Sequence, residues 1–160
     1  MTSSWRGSYR RAFKSKARLR FMLAIVSASI SLSVHAVDRM SPLGLWKTVN
    51  DDNQETSLLR ITESSGLLSG KVEKILLGEQ NATCKECPDD DPRKNRPLLG
   101  MTVLKDMKRN GDIFDGGTIL APAKGRIFKA ELKVVEGGQK LEMRAKFGPF
   151  GRTATWIRVE

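Results

Sequence analysis

The chain has 160 residues, enough for one domain and not comfortably two. Its 28 basic and 18 acidic side chains leave a net charge of +10, a balance that by itself points to nucleic acid or another acidic surface. The distribution excludes that reading: residues 1–36 hold seven basic residues (Arg6, Arg10, Arg11, Lys14, Lys16, Arg18 and Arg20) and no acid, so residues 37–160 carry 21 basic and 18 acidic groups with the signs intermixed, as in ordinary soluble domains.

The first 36 residues have the parts of a secretory leader. A basic segment runs through Arg20, and an apolar run of 14 residues follows from Phe21 to Val34. That run is shorter than the ~20 residues that span a bilayer. Val34-His35-Ala36 places small apolar residues at the two recognition positions, so cleavage is expected after Ala36. An uncleaved membrane anchor is the alternative. Tyr9-Arg10-Arg11-Ala12-Phe13-Lys14 resembles the twin-arginine export signal, departing from it at Tyr9 and Lys14, so the export route stays open. The expected organisation is a signal peptide over 1–36 and a single domain over 37–160, with a periplasmic address.

The leader holds the only His, His35, and the only Tyr, Tyr9. The remaining chain therefore has no histidine general base, no Ser-His or Cys-His nucleophile pair and no histidine metal ligand. No enzyme, no cofactor and no metal site is expected.

Beyond the leader the dominant signal is a period of two. In Lys140–Phe147, Leu141, Met143, Ala145 and Phe147 alternate with Lys140, Glu142, Arg144 and Lys146. In Arg126–Val135, Phe128, Ala130, Leu132 and Val134 alternate with Lys129, Glu131 and Lys133. One apolar and one charged face describe half-buried antiparallel strands; the charged face denies a lipid-facing barrel its apolar outer band. Turn signals such as Ser64-Ser65-Gly66, Asn110-Gly111-Asp112 and Glu136-Gly137-Gly138 separate further strands. The pattern predicts about eight, near 44–49, 56–63, 67–76, 98–107, 113–120, 126–135, 140–147 and 152–159. A short helix is predicted over Val37–Leu43. Gly70, Gly100 and Gly117 interrupt strands, as where a barrel sheet bends. Eight up-and-down strands remove their edges by closing, so the expected fold is all-β, a single antiparallel β-barrel.

One long connection, Gly78–Pro97, reads as a solvated crossover with opposed charges: Glu86 and Asp89-Asp90-Asp91 against Arg93, Lys94 and Arg96. It contains Cys84-Lys85-Glu86-Cys87. Haem attachment needs a histidine where Pro88 stands, and zinc needs two more ligands. A disulfide between Cys84 and Cys87 is the leading reading, a redox dithiol the other. The contiguous Asp triplet lacks the alternate spacing of a calcium loop.

Gly44-Leu45-Trp46 opens the first strand, and Trp156-Ile157-Arg158 closes the last. This resembles the lipocalin-type signature, in which an Arg from the last strand lies across a Trp of the first and seals one barrel end. The order Gly44-Leu45-Trp46-Lys47-Thr48, Asp51-Asp52, Gly70-Lys71-Val72, Cys84-x-x-Cys87, Pro97-Leu98-Leu99-Gly100, Gly116-Gly117-Thr118-Ile119-Leu120 and Gly151 to Val159 further resembles domain-of-unknown-function family 2147. The resemblance implies a lipocalin-like barrel in the periplasm and no established activity. Ala121-Pro122 and Phe128 depart from that family's pattern of Asp-Pro and a later Tyr.

Two readings of function follow. The first is a binding module holding a small apolar or amphipathic ligand in the lumen, lined by Phe128, Leu132, Met143 and Phe147, with room left by Gly70, Gly100, Gly117, Ala130 and Ala145. The second is an envelope interaction protein with a filled barrel. Both expect no nucleic acid partner and no stable membrane insertion after cleavage, and Gly44, Trp46, Trp156 and Arg158 serve the barrel end in either.

Overall fold

A computed structural model describes residues 39–160. The expected leader and its cleavage site lie outside the described residues, as do Val37 and Asp38.

The strands are β1 (Gly44–Val49), β2 (Glu55–Ser64), β3 (Leu67–Ile75), β4 (Thr102–Asn110), β5 (Ile113–Asp115), β6 (Thr118–Ala121), β7 (Arg126–Val135), β8 (Lys140–Phe147) and β9 (Phe150–Arg158). Every pairing is antiparallel, each strand pairs with the next along the chain except β5 with β6, and β1 returns to β9 through Trp46↔Arg158 and Lys47↔Ile157. The sheet therefore closes. β5 and β6 both pair with β4 and with β7, so they form one interrupted stave. The result is a closed eight-strand antiparallel barrel, the fold class that the alternation predicts.

The period of two places the core. Ala130, Leu132 and Val134 of β7 are buried and stand opposite Ala145, Met143 and Leu141 of β8, while Lys133 and Glu142 face outward. Trp46, Ile61, Leu68, Leu104, Met107, Leu132 and Leu141 fill one half of the lumen with side chains at most 2% exposed. Every CH₂ buried there contributes roughly 0.8 kcal/mol.

Several boundaries differ from the sequence reading. The fourth strand begins at Thr102 rather than 98, because Leu98–Met101 makes a turn: Gly100 sits at φ +79° and the Met101 amide donates to Leu98 O. Gly100 thus lies before the strand instead of bending it. The fifth expected strand is split at Gly116-Gly117, where a Cβ on Gly117 would stand 2.1 Å from Lys105 O. A Cβ on Gly70 would stand 2.9 Å from both Leu104 Cβ and Leu59 Cδ2. Gly70 and Gly117 therefore admit neighbouring atoms of the wall and leave no space in the lumen. Residues 39–41 form a turn, and no helix precedes Gly44 among the described residues. The expected helix gives way to tertiary anchoring: Arg158 donates to Arg39 O, Ser41 O and Leu43 O, holding the turn and the segment that leads into Gly44.

Candidate functional site

The barrel has a packed end and an open end. At the packed end, Trp46 Nε1 donates to Pro42 O at 2.7 Å, and the Arg158 guanidinium lies 4.1 Å from the centre of the Trp46 ring. Gly44, at φ +121°, passes beneath the C-terminus, where a Cβ would meet Glu160 O at 2.3 Å. Burial pushes the Arg158 pKa below its ordinary value.

Above the packed half lies a cavity of about 800 Å³, open at the end where the β1–β2, β6–β7 and β8–β9 connections meet. Leu59 and Trp156 belong to its floor and Val72, Val103, Ile119, Phe128, Met143, Ala145 and Ala154 to its wall. Trp156 thus serves the cavity as well as the barrel end. Of the residues expected to line the lumen, Phe128, Met143 and Phe147 do so, with Phe128 and Phe147 in an edge-to-face contact at 6.4 Å. Leu132 does not line it and is fully buried. It shares the inward parity of Phe128, but four residues along a strand is about 13 Å of depth, which carries it into the packed half. Ala145 lines the cavity, whereas Ala130 is buried outside it.

Sequence reasoning missed two polar features. Thr48, on the inward parity of Trp46, stands opposite Ser57; its hydroxyl lies 2.8 Å from Thr56 Oγ1 and 2.7 Å from Ser57 Oγ. These three hydroxyls line the cavity beneath the β1–β2 hairpin. At the rim, Lys124 Nζ lies 2.5 Å and Arg152 Nη1 3.2 Å from Asp51 Oδ2. Asp51 thereby ties the β1–β2 hairpin to the β6–β7 turn and to β9. The Lys124 hydrogen bond, with the Arg152 guanidinium beyond it, holds the Asp51 carboxyl below its ordinary value. Alternation alone could have marked Thr48; the rim pairs join residues 73 and 101 positions apart and leave no local signal.

The long connection is more than a solvated crossover. Cys84 and Cys87 form a disulfide and are both buried. Asp91 is buried too, clamped by Arg93 Nε at 2.8 Å and Nη2 at 2.6 Å while Arg93 Nη1 donates to Thr102 O. The Arg93 side chain, by hydrogen bonding, lowers the Asp91 pKa to about 2. The Cys84–Cys87 loop rests on the β6–β7 turn, since a Cβ on Gly125 would strike Glu86 O. Leu77 and Leu98, at either end of the connection, line the cavity. Burying the two cysteines and pairing Asp91 explains how so polar a segment becomes ordered at the mouth. Among the described residues no three His, Cys, Asp or Glu side chains gather to hold a metal ion.

The Gly44-to-Arg158 span matches, as a whole, the profile of a family described as uncharacterised proteins conserved in bacteria, DUF2147, over residues 44–158. The chain belongs to this family. The DUF2147 match begins and ends at the strands that close the barrel. No curated protein matches the chain. Among solved structures it is similar to protein HP1028 of Helicobacter pylori, described as belonging to the lipocalin family, at 21% identity and a TM-score of 0.66, covering 76% of this chain and 84% of that one. That likeness shows the fold of this DUF2147 member: a lipocalin-like barrel.

Proposed function

We propose that this protein binds a small apolar or amphipathic molecule in its lumen, and that it does so without catalysis, after export to the periplasm. The observation that carries the reading is the cavity of about 800 Å³ above a packed floor, within the 300–1,000 Å³ typical of small-molecule sites. A filled-barrel interaction protein would extend the packing of Leu104, Met107 and Leu141 to both ends; here the interior is filled at one end and vacant at the other.

The arrangement suits an apolar chain entering from the mouth. Aliphatic and aromatic side chains form the wall, so a buried methylene there gains roughly 0.8 kcal/mol. The hydroxyls of Thr48, Thr56 and Ser57 and the charged rim would take the polar end of an amphipathic molecule. The titratable groups on the lining are Asp51, Asp52, Lys124 and Arg152, at the rim, and Asp51 is engaged by both cations. That placement supports binding over catalysis. The Cys84–Cys87 disulfide suits an oxidising compartment, which supports export.

The test is a titration with a fluorescent apolar probe such as parinaric acid, alongside native mass spectrometry of the protein after gentle purification. Saturable one-to-one binding is expected. It should be abolished by Ala145→Phe combined with Ala154→Phe, which fills the wall while keeping the barrel folded. No saturable binding to the wild-type chain would assign it to the interaction-protein class. Export is tested separately: N-terminal sequencing from the periplasmic fraction should begin at Val37, and a chain beginning at Met1 in the membrane fraction would overturn it.

A further inference from the structure

The cavity rim is chemically lopsided. Residues 121–129 and 144–152, the ends of β6–β7 and β8–β9, hold Lys124, Arg126, Lys129, Arg144, Lys146 and Arg152 and no Asp or Glu. The two segments are neighbours, for Lys129 stands opposite Lys146 and Phe128 touches Phe147. Asp51 takes Lys124 and Arg152, and Glu131 takes Lys146, so these two carboxylates leave the patch four positive charges in excess. From the same surface project Ile127 (43% exposed), Phe147 (63%) and Phe150 (77%), the two Phe being paired across the Gly148-Pro149 tip. Soluble domains rarely leave such aromatics together in water without a partner. Rings at the tip of a hairpin, flanked by cations that outnumber the carboxylates among them, have the composition of a surface that enters the interfacial zone of an anionic bilayer.

We propose that the ends of β6–β7 and β8–β9 dock this protein onto a bilayer bearing anionic headgroups, with Phe147 and Phe150 inserted at headgroup depth and Arg126, Lys129 and Arg144 against the phosphates. Charge complementarity selects this occupant: a second copy would bring the same excess of four positive charges against its own kind. Docking in this pose turns the cavity mouth toward the membrane, so that an apolar molecule passes between bilayer and lumen with little exposure to water. That consequence rests on the ligand-binding reading, but the docking itself is measured with no ligand present, and the two fail separately.

The test is co-sedimentation with vesicles of phosphatidylcholine alone and of phosphatidylcholine mixed with phosphatidylglycerol, using wild type and variants purified identically from the periplasmic fraction. Binding to the anionic vesicles, weakened by salt, is expected, and little to the neutral ones. Combining Arg126→Glu, Lys129→Glu and Arg144→Glu should reduce it by more than about tenfold and leave the lumen titration unchanged, since none of the three lines the cavity. Phe150→Ser should weaken vesicle binding as well, and circular dichroism establishes that each variant folds. Binding that ignores lipid charge, binding that survives the triple variant, or no binding by the wild type each overturns the proposal. So does a dimer in ultracentrifugation that Phe150→Ser dissolves, which would give the patch to a second copy.

Discussion

Trp46 and Arg158 stand directly opposite each other where the first and last strands meet, and the guanidinium lies 4.1 Å from the centre of the Trp46 ring. The same guanidinium donates to Leu43 O at 2.9 Å and Ser41 O at 2.6 Å, and Arg158 Nε reaches Gly138 O. One side chain thus joins barrel closure, the entering segment and the β7–β8 turn.

Arg158→Ala should cost about 2–3 kcal/mol in urea denaturation, through the lost cation–π contact and the carbonyls left without a donor. Arg158→Lys should recover little of it, because an ammonium cannot both stack and reach several carbonyls. The lumen titration should stay unchanged, since Arg158 lies outside the cavity lining. A lysine variant as stable as wild type would show that the packing of the stem suffices.

Acid should loosen the mouth first. Arg93 depresses the pKa of Asp91 to about 2 from an ordinary 3.8. The stabilisation is therefore whole above about pH 4 and is lost as the pH falls toward 2. We expect about 1–2 kcal/mol to disappear across that window, and Asp91→Asn to lack that share of the pH dependence. Denaturation midpoints of the two proteins at pH 5 and at about pH 2.5 make the comparison; equal slopes would remove Asp91 from the account.

Cys84→Ser with Cys87→Ser should lower stability by about 2 kcal/mol, the chain-entropy value for so short a loop, with the barrel intact. Hydrogen exchange should rise in residues 84–96, where the Cys84 amide donates to Arg96 O and Cys84 O accepts from the Asn95 amide. Two free thiols in the unreduced, unfolded protein would contradict the pairing itself.

Asp51→Asn removes the charge that holds Lys124 and Arg152, leaving Arg152 its bond to the Asp51 carbonyl, and so loosens the tie of the β1–β2 hairpin to the β6–β7 turn and to β9. These groups are solvent-facing, so the melting temperature should scarcely move. Probe association and dissociation in stopped flow should both quicken. Unchanged rates would mean that the rim pairs do not restrict entry.

The inward-facing set of side chains was readable from the order of residues, because burial on one face of a strand imposes a period of two. Phe128, Leu132, Leu141 and Met143 show their inward parity with no structure at all, and that parity with the turn residues is enough for a closed eight-strand barrel. Parity carries no depth, however. It could not tell that Phe128 borders a cavity and that Leu132, on the same face, is sealed in the floor, since depth depends on stagger between strands. Nor could it separate space from close approach: Gly70 and Gly117 look like room in a sequence, yet their missing side chains are replaced by Leu59, Leu104 and Lys105. The strand shift to Thr102 and the non-helical path before Gly44 arise from the Leu98–Met101 turn and from Arg158, 115 residues away from Leu43. The Asp51 rim pairs and the basic, aromatic-tipped face likewise join segments far apart in the chain. Sequence by itself determined which side chains face inward, because that is a local alternation. Where the filled half stops and the cavity begins was decided only by closure of the sheet, which sets the depth of each inward position and brings distant charges to one mouth.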